Sequence, residues 1–168
     1  MIEELFTECD AGCVESIIKF LAGSIGGKPN ITVREGVIHA SIEEGGVNIL
    51  DIRLTNEICE LILLATQDKV ISVLRILGLK ELAEFISKLK VLPSIIAISR
   101  ITISKSLYII LQGRMGSEAF PNIKVVVREN YHEVSSSFCR ITPEENTCEH
   151  LHNLLEIAKD LWRRIFKP

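Results

Sequence analysis

The sequence predicts an α+β fold: a mainly antiparallel sheet with flanking helices and a long C-terminal helix packed on the sheet. Three observations lead there. Runs that alternate apolar and polar residues recur, separated by glycine-bearing turns such as Glu43-Glu44-Gly45-Gly46. Other runs carry apolar residues three and four apart, the period of a helix with one buried face. The last of these, ending near Phe166, is the longest and most regular. The expected order is one helix, three strands, two or three helices, four strands and a final helix, in a single domain spanning residues 1–168.

Asp10 is placed to cap the first helix, in which Val14, Ile17, Ile18, Leu21 and Ile25 follow helical spacing and Gly26-Gly27 ends the run. Lys28-Pro29-Asn30 reads as a connector. Ile31 and Val33 then open a short strand that turns at Glu35-Gly36. Ile38, Ala40 and Ile42 alternate with Val37, His39 and Ser41, and the hairpin at residues 43–46 returns a strand with Leu50, Ile52 and Leu54 on one side. Such a meander has one wet face.

Residues 56 to about 90 read as helical in two or three pieces, with Asn56 and Asp68 as caps and Gly78 as an interruption. Leu79, Leu82, Phe85, Ile86 and Leu89 form the clearest stripe, and Pro93 stops it. Ile95 to Ser104 reads as a strand, Lys105-Ser106 as a turn and Leu107 to Leu111 as a central strand. After a loop from Gln112 to Asn122, Ile123–Arg128 and Val134–Ile141 form a strand pair that turns at residues 130–133. Thr142-Pro143-Glu144-Glu145 has the residue types of a helix start, with an N-cap, a proline at the first position and a capping-box glutamate.

This element order resembles that of profilin-like and roadblock-like or longin-like modules, and more distantly helix-grip folds. The likeness is topological, without a shared motif, and no family follows from it.

Composition narrows the function classes. Hydrophobic residues make up 47% of the 168 residues and charged residues 24%, the mix of a chain with a sizeable core. The acidic start MIEELFTECD lacks the basic segment of a signal peptide, and the most apolar stretch, Ser94 to Leu111, is broken by Arg100 and Lys105. A cytoplasmic protein with no membrane span is therefore expected. Five cysteines without a CxxC pair argue against a disulfide framework in an ordinary cytosol. The abundance of isoleucine and the presence of only two glutamines point faintly to a heat-adapted source, where intracellular disulfides do occur.

The charge is unevenly spread. Residues 1–84 hold seven Lys/Arg against fourteen Asp/Glu, whereas residues 85–168 hold twelve against eight. This asymmetry suits either a nucleic-acid face in the second half or two halves that attract each other. The nucleic-acid reading recruits Arg100, Lys105, Arg114, Lys124, Arg128 and Arg140. Arg114 lies in the glycine-bearing loop Gln112-Gly113-Arg114-Met115-Gly116-Ser117, whose amides would suit a phosphate or carboxylate. Aromatic residues total only 5%, so stacking platforms are scarce.

The C-terminal helix has more apolar surface than a helix lying on a sheet requires. Leu151, Leu155, Ala158, Trp162 and Ile165 share one arc, and Leu154, Ile157 and Leu161 widen it to about half the circumference. In the first helix Phe20 likewise sits beside the main stripe. Phe20, Leu154, Ile157 and Leu161 are therefore interface candidates for a homo-oligomer, unless a neighbouring element of the same chain covers them.

Catalytic signatures are missing. No GxSxG elbow, Walker loop or GxGxxG is present. The four histidines are the available bases, and the acidic pairs Glu43-Glu44 and Glu144-Glu145 are explained by a turn and a helix start. Cys148 and His152, four apart, would offer two zinc ligands on one helix face, and Cys9 and Cys13 two more if the terminal helices meet. The competing reading makes Cys13 and Cys148 small buried hydrophobes. The resulting expectation is a non-catalytic binding or interaction module that self-associates and has no cofactor beyond that zinc set. The alternatives are a nucleic-acid binder and a small enzyme or ligand binder with a pocket between sheet and helices.

Overall fold

The computed structural model describes residues 1–64, 66–113 and 122–167. The fold is α+β. In chain order the elements are α1 (Ile2–Thr7), α2 (Ala11–Ile25), β1 (Lys28–Arg34), β2 (Val37–Glu44), β3 (Val47–Leu54), β4 (Ile58–Leu63), α3 (Gln67–Ile76), α4 (Lys80–Ser87), β5 (Ile95–Ile101), β6 (Ser106–Gln112), β7 (Ile123–Arg128), β8 (Tyr131–Ser135), β9 (Arg140–Ile141) and α5 (His152–Phe166), the last preceded by a 3-10 turn at Glu149–Leu151. The strands form one nine-stranded antiparallel sheet in which each strand lies beside its neighbours in sequence.

This meander follows from the turns. Gly45 and Gly46 both take positive φ, 61° and 81°, the backbone of a two-residue hairpin that matches strand twist and that side chains resist. Asp10 caps α2 as expected, its carboxylate accepting from the Cys13 amide at 2.9 Å.

The cross-strand register sorts the side chains into two faces. On one, Ile42, Leu50, Leu63, Ile96, Leu111 and Ile123 lie opposite one another in a continuous row, all buried. A parallel row runs from Ala40 through Ile52, Leu61, Ile98, Ile109, Val125 and Val134 to Ile141, also buried. The helices cover this face. α2 lies over β1 and β2, α5 over β6, β7 and β8, and α3 and α4 bridge between them. Each fully buried Leu or Ile in these rows contributes about 1.5–3 kcal/mol relative to exposure. Polar ties fix the helix layer. Trp162 Nε1 donates to the Lys105 carbonyl at 2.8 Å, and Arg164 joins α5 to Glu3 of α1 and to the Gly78 carbonyl between α3 and α4.

Several local expectations change, and the expected connector Lys28-Pro29-Asn30 is already the start of β1. Residues 58–63 form strand β4, not helix: Ile58, Leu61 and Ile62 fit a helical spacing, but Cys59, Leu61 and Leu63 alternate, and β3 and β5 hydrogen-bond on either side. Asn56 therefore sits in a turn and caps no helix. Residues 2–7 form an additional short helix. The second-half hairpin turns at residues 129–130 and β8 begins at Tyr131. Finally, α5 starts at His152, ten residues after Thr142. Thr142 and Glu145 close a tight turn on each other, and Thr147 bonds back to Arg140 through both backbone and hydroxyl. These local bonds compete with helix formation and win. No helix among the described residues is long and apolar enough to cross a membrane.

Candidate functional site

The second face of the sheet carries the residues that alternate with the core rows, and the described helices all gather on the first face. One row on this open face runs Asp51, Ile62, Ala97, Ile110, Lys124, Ser135 across β3 to β8. The next runs Arg53, Glu60, Ser99, Tyr108, Val126, Glu133 across the same strands. Ile58 and Ile101 pair beyond it, with Ile58 39% exposed. Ile62, Ile95, Ala97, Ile101 and Ile110 are half-buried on this face, and Val126 is buried. An apolar centre is thus flanked by charge, acidic Asp51 on one side and basic Lys124 on the other.

The β6–β9 side carries Lys124, Arg128 and Arg140 together with both tyrosines, Tyr108 on β6 and Tyr131 on β8. Lys124 Nζ lies 5.7 Å from the Tyr108 ring centre, and the Arg128 guanidinium lies 5.9 Å from that of Tyr131. Arg140 pairs with Glu133 at 2.6 Å, and this pairing raises its pKa further. His39 meets Asp51 at 2.9 Å on the β2–β3 side.

The sequence-derived basic set divides. Lys124, Arg128 and Arg140 share the open face. Lys105 is in the β5–β6 turn, where its carbonyl holds Trp162 of α5. Arg100 is on the helix-covered face, only 7% exposed, so it is not available to a nucleic acid on the open face. The period-2 register of β5 sends it inward with Ile96 and Ile98. Arg114 lies outside the described residues.

Leu154 and Leu161 are 0% and 2% exposed and belong to this chain's core, covered because α4 packs on α5. They are not surface groups, and the extra width of the α5 apolar face is used internally. Ile157 is half-buried and lines shallow grooves between α4 and α5, with Leu79 and Leu82 in one and Phe85 and Leu89 in the other. Phe20 is 56% exposed.

The cysteines correct the metal expectation. Cys9 is disulfide-bonded to Cys13 and Cys139 to Cys148, so none of the four offers a thiolate. Cys148 is also outside the α-helix, and His152 pairs with Glu156 at 3.7 Å. The terminal helices do touch, but α1 meets the far end of α5, at Arg164, about 18 Å along the axis from His152. Among the described residues no group of three or more His, Cys, Asp or Glu side chains is suited to a metal ion.

The fifth cysteine, Cys59, is buried beside Arg100. Burial pushes its thiol up to about 12, outweighing the nearby guanidinium, and it stays protonated at neutral pH. His132 is shifted down by burial and by Lys159 facing it from α5, which favours the neutral imidazole. Among the described residues no histidine is hydrogen-bonded to a serine or cysteine. The signal for the open face was the alternation of β2 to β8, but the partner of each strand was needed to assemble it. No family model, curated protein or solved structure matches this chain.

Proposed function

We propose that the protein is a non-catalytic interaction module that self-associates through the open face of its sheet. The observation that carries this reading is the row Asp51–Ile62–Ala97–Ile110–Lys124, on the sheet face where none of the described helices lies. Contiguous apolar surface rimmed by charge marks an interaction site, and two sheets packed face to face at about 10 Å bury such a centre. The row is self-complementary. A two-fold axis along β5 brings β3 of one copy over β7 of the other, so Asp51 meets the partner copy's lysine at this same row, and His39 on β2 approaches the row position of Glu133 on β8. Charge pairs at the rim then set register, while the isoleucines supply the buried area.

Light scattering of the full chain is expected to give twice 18.8 kDa, and Ile62→Lys with Ile110→Lys to return the monomer mass without loss of the circular dichroism spectrum. Asp51→Lys or Lys124→Asp alone is expected to weaken association, and the two together to restore it. A wild-type mass of 18.8 kDa at all concentrations overturns the reading.

The Lys124–Tyr108 and Arg128–Tyr131 pairs favour one second reading, binding of single-stranded nucleic acid along β6–β9, with phosphates on the cations and bases on the rings. Fluorescence anisotropy with a labelled oligonucleotide tests it. Arg128→Ala with Lys124→Ala is expected to weaken binding by about tenfold or more and to flatten its salt dependence; no binding by the wild type at low salt excludes it.

A further inference from the structure

The one buried charged side chain among the described residues, Arg100, lies at one end of the sheet, where β2 begins and β3 and β5 end. The elbow between α1 and α2 closes over that end and leaves a cavity of about 370 Å³. This is within the range of small-molecule sites, about 300–1,000 Å³. Leu5, Ile38 and Leu54 form an apolar wall, Arg100 lies within, and Glu8 and Asp10 come from the elbow.

Arg100 is the unusual group. It is 7% exposed, and its Nε has no hydrogen-bond partner. Its Nη1 donates to Thr102 Oγ1. Among the described residues it takes part in no ion pair. Its cross-strand partner is Cys59, and that thiol, protonated at neutral pH, is no counter-ion. A buried guanidinium without an anion is unfavourable, because desolvation is not repaid by pairing. Such a group in a cavity wall calls for an anionic ligand group.

The elbow restricts which anion fits. Glu8 and Asp10 are both exposed, and one Asp10 oxygen accepts from the Cys13 amide. An inorganic phosphate reaching Arg100 meets these carboxylates, and a simple amine drawn to them meets Arg100. A ligand with a carboxylate at one end and an ammonium at the other satisfies both. The Cys9–Cys13 disulfide staples the elbow that presents Asp10.

We propose that this cavity binds a free amino acid with an apolar side chain, its carboxylate on Arg100, its ammonium toward Glu8 and Asp10, and its side chain against Leu5, Ile38 and Leu54. Calorimetry and thermal shift of the full chain test this, with L-valine, L-leucine, L-methionine and L-phenylalanine as probes. The single-charge analogues are 4-methylpentanoate and 3-methylbutylamine. At least one amino acid is expected to bind and raise the melting temperature. Both analogues are expected to bind about tenfold or more weakly, the loss of one charge-assisted contact. Arg100→Met is expected to fold and to lose amino-acid binding. Glu8→Gln, a surface change that leaves the core intact, is expected to weaken amino-acid binding and leave 4-methylpentanoate unchanged. The proposal is overturned if none of the four amino acids binds at millimolar concentration, or if 4-methylpentanoate or phosphate binds as tightly as they do. Retained binding by a folded Arg100→Met, or by Glu8→Gln, overturns it equally.

Discussion

Leu154→Ala is expected to lower the free energy of unfolding by about 2–5 kcal/mol and to leave the solution mass unchanged. Leu154 has no solvent exposure and sits in the continuous cluster formed by the helix layer and the inner sheet face. Truncating it removes buried methyl and methylene groups and leaves a cavity that close-packed neighbours fill only in part. Urea denaturation measures the loss, and light scattering measures the mass. An interface residue gives the opposite pattern, with a dissociated chain of unchanged monomer stability. The same pair of measurements on Ile62→Lys and Ile110→Lys is expected to show that opposite pattern, since those side chains lie on the open face. The two variants together separate the surface that folds the chain from the surface that joins chains.

Removing the second disulfide, by Cys139→Ala with Cys148→Ala, is expected to cost about 2–3 kcal/mol, since the bridge closes a short loop and so limits the unfolded chain only modestly. Its structural effect is specific. The bridge pins residues 140–151, a segment otherwise held by Thr147 on Arg140 and by short turns, at the entry to α5. Hydrogen exchange is expected to rise in residues 140–151 and to stay low in β2 to β7. A reductant is expected to lower the wild-type denaturation midpoint and to have a smaller effect on the double variant, which keeps only the Cys9–Cys13 bridge. Thiol titration of the unfolded, unreduced wild type is expected to give one thiol per chain, that of Cys59. Five titratable thiols would contradict the bonded state and reopen the thiolate chemistry that bonding excludes.

The places where sequence patterns misled share a cause. Ile58, Leu61 and Ile62 satisfy helical spacing while Cys59, Leu61 and Leu63 satisfy strand spacing, and only the backbone partners on β3 and β5 decide between them. Thr142-Pro143-Glu144-Glu145 has the residue types of a helix start, but Asn146 and Thr147 offer competing local bonds, with Cys148 tied to Cys139. Arg100 shows the same limit at the candidate site. Its sequence neighbours mark it as a break in an apolar run, and only the register of β5 places it under the helices.

The amino-acid sequence by itself determined the α+β class, the α2 cap at Asp10, the Gly45-Gly46 hairpin and the buried stripe of the C-terminal helix, because each depends on residues within one or two turns of chain. The tertiary structure decided which apolar surface is spare. The broad face of α5 is covered by α4, and among the described residues no helix lies on the other face of the sheet. Coverage is a relation between elements far apart in sequence, and local periodicity records only that a face is apolar, not what lies against it.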